Sequence, residues 1–276
     1  MSLTLMYITN NPTVAQIAQK YGVERIWVDL ETLGKEERQK GLNTVKSKHC
    51  INDIRIIKPL LTTSEMLVRV NPWNKDSVHE INEVIAAGAD MIMLPMWKST
   101  SDVQNFIDAV AGRTKTTLLL ETKEGLECLD DVLAIEGIDE MHIGLNDLHL
   151  AYGMTFMFEL LADGTVEKIC NKIKGAGLPY GFGGIARVGE GTLPAERIIM
   201  EHYRLGSTRA ILSRSFCNVD SLNSIDEAEN IFRDNMKALR AYEKTMKNVT
   251  QREFEDNIIF VKECVEKIVK SIKEKK

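Results

Sequence analysis

The chain has 276 residues, of which 44% are hydrophobic and 27% are charged, and its formal net charge is −5. That length suits one α/β barrel or two smaller domains, and the composition is typical of a soluble globular protein. The negative net charge argues against a general nucleic-acid-binding role, which requires a basic surface. No run approaches the roughly 18 apolar residues of a membrane span, so the sequence predicts neither nucleic acid nor membrane as a partner.

The cysteines and the amino terminus indicate a compartment. The five cysteines are odd in number and scattered, without a C-x-x-C pair, which favours a reducing environment over structural disulfides or zinc. No basic segment precedes an apolar one at the amino terminus, so no signal peptide is expected. We therefore expect a cytoplasmic enzyme.

Short apolar runs alternate with helical patterns along the chain. Eight runs predict strands, at residues 3–9, 25–30, 66–71, 91–95, 117–120, 140–144, 179–184 and 208–213. The stretches between them predict helices, over residues 12–20, 35–48, 53–61, 76–87, 100–110, 126–133, 156–174 and 195–203. The runs are continuously apolar rather than alternating, as strands buried on both faces should be. Eight such units predict a (β/α)₈ TIM barrel. An open doubly wound sheet is disfavoured because no G-x-G-x-x-G follows the first strand.

Two further helices follow the barrel. Ser224 with Glu227, and Thr250 with Glu253, have the spacing of capping boxes. We therefore predict a catalytic barrel over residues 1–220 and a helical extension over residues 221–276. The last helix places one set of apolar residues on a single face, namely Phe254, Ile258, Val261, Val265, Ile268 and Ile272. Such helices must cover something, either the open end of the barrel or a neighbouring subunit, and we expect a homo-oligomer.

A strand–helix–strand unit over residues 116–148 organises the predicted site. Its two strands are followed by Glu121 and by Asp147. Because a βαβ unit makes its strands parallel, the two carboxylates should leave the sheet at the same end. Mg²⁺ takes one or two carboxylates and completes its coordination with water or substrate oxygens. The sequence therefore predicts a hard-cation site, suited to Mg²⁺, on Glu121 and Asp147.

Other polar side chains follow the remaining strands, at the end where barrel enzymes place their active sites. They are Asp29, Glu31, Arg69, Asn71, Asn146, Arg187, Ser213 and Arg214. Arg69 is the candidate for binding an anionic substrate. Asp29 and Glu31 either orient metal-bound water and assist proton transfer, or form structural ion pairs.

These residues stand in motifs that resemble the HpcH/HpaI aldolase and citrate lyase β-subunit superfamily. The motifs are Asp29-Leu30-Glu31, Arg69 in LVRVN, Glu121 in LLLET, and GLNDL at residues 144–148. The resemblance implies a metal-dependent carbon–carbon lyase or aldolase on a TIM barrel. It further implies that Glu121 and Asp147 bind Mg²⁺ or Mn²⁺ and that Arg69 binds the carboxylate of the oxo-acid or acyl substrate.

Two positions depart from the family pattern. The hydroxy-acid aldolase branch has a histidine after its acidic strand-2 motif, where this chain has Thr32. Met96 stands where a lysine is usual. No basic cluster for a coenzyme A phosphate is evident, and the acid–base group of that branch is missing from its usual place.

The five histidines have different expected environments. His142 lies inside a strand and should be part of the core, whereas His79 and His202 are expected on helix surfaces. His149 follows Asp147 closely enough to reach the barrel mouth, and His49 is a candidate for a loop near the site.

The expected function is a carbon–carbon lyase or aldolase that cleaves or forms a bond beside the carbonyl of a 2-oxo acid or acyl-CoA-type substrate. The metal would stabilise an enolate, with Arg69, Asp29 and Glu31 as catalytic residues. One alternative is a metal-dependent thioester (acyl-CoA) hydrolase on the same barrel. The other is a non-catalytic scaffold subunit that uses the terminal helices for interaction.

Overall fold

The computed structural model describes residues 2–34 and 49–275. The helix predicted over residues 35–48 lies outside these ranges. The strands are β1 Thr4–Ile8, β2 Arg25–Asp29, β3 Glu65–Arg69, β4 Met91–Leu94, β5 Lys115–Leu120, β6 Glu140–Ile143, β7 Tyr180–Ile185 and β8 Arg209–Leu212. They form a closed barrel in the order β1 to β8. This confirms the predicted (β/α)₈ fold with two additional C-terminal helices.

The helices follow the strands as expected for this fold. They are α1 Pro12–Lys20, α2 Ile51–Ile57, α3 Ser77–Ala87, α4 Thr100–Val110, α5 Lys123–Glu127, α6 Leu129–Val132, α7 Leu145–Ala151, α8 Glu159–Ala162, α9 Thr165–Gly175, α10 Ala195–Leu205, α11 Ile225–Thr245 and α12 Gln251–Glu274. Local chemistry sets their ends. Asn11 accepts hydrogen bonds from the N–H groups of Thr13 and Val14 before Pro12 opens α1. Gly88 ends α3 with a φ of 104°.

The chain divides into two compact units, one of residues 6–141 and the other of residues 1–5 and 142–276. In the first unit, β2 to β5 pair in parallel, and the three central residues of β2 are at most 1% exposed. Burying a large apolar side chain contributes about 1.5–3 kcal/mol. The strands therefore supply much of the core, as their continuous apolar runs predict.

A charged network joins the first residues of several strands in this unit. Arg25 opens β2, and its Nε lies 2.9 Å from a carboxylate oxygen of Glu65 on β3. Its Nη2 donates to Glu140, the first residue of β6, at 3.0 Å. Burial alone lowers the pKa of Arg25, but the hydrogen bonds and charges of Glu140 and Glu65 raise it overall. Because this arginine is only 5% exposed, the amino ends of these strands are closed by paired charges.

In the second unit, helix α11 is tied to the segment that precedes β1. The buried carboxylate of Glu243 accepts hydrogen bonds from the Leu3 N–H at 2.7 Å and from the Tyr203 hydroxyl at 3.0 Å. Arg240 donates both to this carboxylate and to the Leu3 carbonyl. Helix α12 packs on α10, where the buried Asn257 donates to Glu201 at 2.8 Å. Both terminal helices therefore bind parts of the same chain.

Several predicted boundaries are corrected by the structure. The helix expected over residues 126–133 is broken at Cys128 into α5 and α6. The one expected over residues 156–174 is broken by Gly164, whose φ is 85°. Thr250 and Glu253 form the predicted capping box. Ser224 caps α11, but the Glu227 carboxylate accepts from the N–H of Asn223 rather than from that of Ser224. The capping box predicted for Ser224 and Glu227 is therefore incomplete.

Candidate active site

The carboxyl ends of β2 and β3 are joined by an ion pair. The sheet register places Asp29 opposite Arg69. Nε and Nη2 of Arg69 donate to the two carboxylate oxygens of Asp29, both at 2.8 Å. Nη2 also lies 3.2 Å from a carboxylate oxygen of Glu31. Nη1 takes no part in these contacts.

This arginine is buried and ionised. Its side chain is 12% exposed, and those of Asp29 and Glu31 are 2% and 3% exposed. Burial alone lowers the pKa of Arg69, but the charge and hydrogen bonds of Asp29, followed by the charges of Glu31 and Glu121, raise it well above its ordinary value. The guanidinium carbon also lies 5.2 Å from the centre of the Trp27 ring, in a cation–π contact. The two acids therefore hold a permanent positive charge in a fixed orientation.

Glu121 follows directly after β5 and is 3% exposed. Its carboxylate accepts a hydrogen bond of 3.2 Å from the Met96 N–H. Met96 has a φ of 52°, a left-handed conformation that costs a non-glycine residue about 1 kcal/mol or more. The Glu121 charge also contributes to the raised pKa of Arg69. A buried carboxylate near the fixed arginine therefore stands where the sequence predicts a metal ligand.

Asp147, the second predicted metal ligand, belongs to the other compact unit. It lies in the first turn of α7, a helix that was not among those predicted from the sequence, and it is half-buried. Asn146 lies in the same turn. Within residues 2–34 and 49–275, no three or more His, Cys, Asp or Glu side chains converge as metal ligands do. One or two carboxylates are enough for Mg²⁺ or Mn²⁺, because these ions keep water and substrate oxygens as their other ligands. A closed structural zinc site requires four protein ligands, which these residues do not supply.

The remaining strand-end residues have structural contacts. Asn71 accepts hydrogen bonds from the N–H groups of Thr32 and Leu33, at 2.9 and 3.0 Å, and holds the loop after β2. Nε of Arg187 donates to the Phe216 carbonyl at 2.8 Å. Ser213 is half-buried and Arg214 is exposed.

Three of the histidines, His142, His149 and His202, are buried. His142 is buried in the core as predicted. His149 is also buried, and its Nδ1 lies 3.1 Å from the Leu145 carbonyl of its own helix. The expectation that His202 is a surface residue is wrong, since it is fully buried and stacks on Phe182 at 3.9 Å between ring centres. His202 therefore lies on the face of α10 that packs against β7, and the sequence pattern of α10 alone does not reveal that contact.

His49 lies at the end of β2. Its Nδ1 accepts a 2.9 Å hydrogen bond from the backbone N–H of Asp29. The two residues are 20 positions apart, and the residues between them carry no linear signal for this contact. His49 therefore lies in a loop next to the Asp29–Arg69 pair, the location for which the sequence made it a candidate.

Comparison with known proteins decides the family. The model of the HpcH/HpaI aldolase/citrate lyase family matches residues 3–177, more than half of the chain. This chain belongs to that family. A hydroxypyruvate/pyruvate aldolase from Roseovarius nubinhibens is 25% identical over 177 residues, which cover 50% of this chain and 66% of the relative. The match thus spans slightly less than two thirds of that relative's length, and membership supports an aldolase or lyase in general terms.

Solved structures share the fold at low sequence identity. An HpcH/HpaI aldolase/citrate lyase family protein from Burkholderia cenocepacia has a TM-score of 0.60 at 13% identity, covering 90% of this chain and 94% of that chain. An HpcH/HpaI aldolase from Desulfitobacterium hafniense has a TM-score of 0.59 at 15% identity, covering 77% and 86%. The citrate synthase SbnG has a TM-score of 0.59 at 16% identity, covering 90% and 95%. These likenesses concern the barrel.

Among the helices of the described residues, none combines the length and the apolar character that a bilayer span requires.

Proposed function

We propose that this family member is a divalent-cation-dependent aldolase or lyase that forms or cleaves a carbon–carbon bond beside the carbonyl of a 2-oxo acid. The observation that carries the proposal is the buried cluster of Arg69, Asp29, Glu31 and Glu121 at the ends of β2, β3 and β5. In this cluster Arg69 offers a fixed positive charge to a substrate carboxylate, and Glu121 offers a carboxylate to a metal ion. The aldolase relative from Roseovarius supports an oxo acid as the substrate class.

Arg69 binds the substrate carboxylate in this proposal. Asp29 and Glu31 engage Nε and Nη2, so Nη1 is directed to the substrate. Because both acids are bound to the arginine, we assign them to orienting the guanidinium rather than to proton transfer. Binding an anion through an ionised and pre-oriented arginine reduces the conformational entropy lost on association.

Glu121 is the proposed metal ligand of this unit, and Asp147 is proposed as the second ligand from the sequence pattern and the order of the strands. A bound Mg²⁺ or Mn²⁺ supplies Lewis-acid stabilisation of negative charge on the substrate oxygen. The Met96 N–H holds one oxygen of Glu121 and thereby limits rotation of the carboxylate. The chain's own contribution is thus to place the cation site and the anion site beside each other.

Calorimetric titration of Mg²⁺ and Mn²⁺ into metal-free protein, with and without pyruvate or oxaloacetate, tests this proposal. We expect metal binding that the oxo acid strengthens and that Glu121→Gln abolishes. Glu127→Gln, on the exposed side of α5, is the matched control and should bind metal like the wild type. Unchanged metal binding and turnover in Glu121→Gln would show that the ligand assignment is wrong.

Product analysis separates the lyase from the alternative hydrolase. A lyase yields the two fragments of a cleaved carbon–carbon bond, whereas a hydrolase releases free thiol from an acyl-CoA with its carbon skeleton intact. Absence of metal binding and of both reactions would favour the scaffold alternative.

A further inference from the structure

The contact between His49 and Asp29 continues the hydrogen bonding of β2 beyond the end of its neighbour. β1 ends at Ile8, and the Thr9 N–H donates to the Trp27 carbonyl at 3.1 Å. Backbone groups two residues further along a strand face the same side. The Asp29 N–H therefore points past the end of β1, and the His49 ring occupies the position of the next acceptor.

His49 is held there by the start of α2. Cys50 caps this helix, and its N–H donates to the Asp53 carboxylate at 2.8 Å. The same carboxylate accepts a hydrogen bond of 3.3 Å from the Asn10 amide, just after the end of β1. The histidine is thus anchored beside the carboxyl ends of two strands, and it remains only half-buried. This is the end at which barrel enzymes bind their substrates.

The contact determines the tautomer of the ring. A backbone N–H can only donate, so Nδ1 of His49 must carry the lone pair that accepts it. In the neutral ring the proton is then on Nε2, at the opposite edge of the imidazole. A neutral imidazole in this form donates a hydrogen bond through Nε2. It has no second lone pair with which to remove a proton.

We propose that His49 is a further catalytic residue of this enzyme, which donates a hydrogen bond from Nε2 to the oxygen of the aldehyde substrate. This inference rests on the proposed aldolase function. It assigns to His49 the role of a neutral electrophile rather than that of a general base. It also explains how the site can operate with Thr32 after the acidic motif, because the donor comes from a later segment of the chain.

Addition of the oxo acid to the aldehyde conserves atoms and charge. The enolate carbon of the oxo acid bonds to the aldehyde carbon, and the electron pair of the aldehyde C=O bond moves onto its oxygen. That oxygen accepts the hydrogen bond from His49 and takes up one proton from solvent. One proton is lost from the oxo acid's methyl group when its enolate forms, so no net proton is consumed.

The decisive variant is His49→Asn, whose side-chain oxygen can still accept from the Asp29 N–H but whose short side chain lacks Nε2. Two rates are measured with pyruvate and metal: exchange of the methyl protons with deuterium, and addition to a panel of short aldehydes. We expect kcat for addition to fall about 100-fold, the usual loss for one such donor. Methyl exchange, which precedes the aldehyde step, should remain unchanged. His79→Asn on the exposed face of α3 should alter neither rate.

The outcomes distinguish this inference from the proposed function. Equal loss of both rates would indicate a base or a structural role, and no loss of either would indicate a backbone cap; each result overturns the donor role while leaving the aldolase in place. A wild-type protein without metal-dependent exchange or addition would overturn the proposed function and this inference with it. Nitrogen-15 NMR of labelled histidine supplies an independent measurement, because a protonated Nδ1 at neutral pH would contradict the assigned tautomer.

Discussion

Asp29 and Arg69 are partners across adjacent strands, and their side chains meet through two hydrogen bonds of 2.8 Å. Both are buried, so the pair is a fixed part of the barrel rather than a surface contact. A buried pair contributes little over an apolar replacement, but removing one partner leaves the other charge uncompensated. The function of this pair is therefore to hold the guanidinium in place, and this role can be measured.

Asp29→Asn should destabilise the fold because it removes the main counter-charge of a buried arginine. Glu31 and Glu121 still contribute charge, so we expect a loss of about 3 kcal/mol, near the lower end for a broken buried pair. Urea unfolding measures the change. Asp234→Asn is the control, since Arg233 and Asp234 form a pair that is exposed to solvent. A loss in Asp29→Asn no larger than that of the control would contradict the fixed-pair interpretation.

Arg69→Lys tests the shape of the cation rather than its charge. An ammonium cannot bind Asp29 in two-pronged fashion and still present a second nitrogen to the substrate. We expect KM for the oxo acid to rise by about tenfold or more, the equivalent of about 1.4 kcal/mol or more of binding energy. Steady-state kinetics over a range of oxo acid concentrations measures the effect. Arg233→Lys should keep the wild-type KM, and an unchanged KM in Arg69→Lys would remove this residue from substrate binding.

His202 should make the fold sensitive to acid. Burial, together with the neighbouring His142, lowers the pKa of His202 from 6.5 to about 3. Between these values the unfolded chain binds a proton that the folded protein does not. Stability contributed by neutral His202 is therefore fully present above pH 6.5 and is lost as the pH falls towards 3, by about 1.4 kcal/mol per pH unit.

His202→Phe should remove that dependence. The phenyl ring can keep the stack on Phe182, and Ser207 retains the carbonyls of Tyr180 and Arg209 as acceptors. The measurement is the free energy of unfolding at pH 7 and pH 5 in both proteins. Relative to the variant, the wild type should have a smaller free energy of unfolding at pH 5 than at pH 7. Parallel pH profiles would show that His202 already titrates normally in the folded state.

Glu243→Gln should loosen the segment that precedes β1. The amide cannot neutralise Arg240, and its NH₂ group cannot accept a hydrogen bond. We expect a loss of about 2 kcal/mol, as for a buried hydrogen bond to a charged group. Hydrogen exchange of the Leu3 amide and thermal unfolding measure the local and the global effect. Glu274→Gln, whose partner Lys270 lies 4.0 Å away at the surface, should behave like the wild type.

Much of the barrel was predictable because its strands are locally encoded. β2 is buried along its whole length, and so is β4, and such strands appear in the sequence as apolar runs with polar residues at their ends. The position of Glu121 directly after β5 follows from the same pattern. The helix breaks at Cys128 and Gly164 were not predicted, because the apolar spacing continues across both positions. At Gly164 the cause is local, since glycine readily adopts the φ of 85° found there.

The sequence by itself therefore determined the barrel, the order of its strands and the residues that end them, because each depends on neighbours within a few positions. The tertiary structure alone decided that Asp29 binds Arg69, that His49 meets the Asp29 backbone, and that His202 is buried against Phe182 of β7. These are contacts between residues far apart in the chain, set by register and by packing. No local pattern of polarity carries that information.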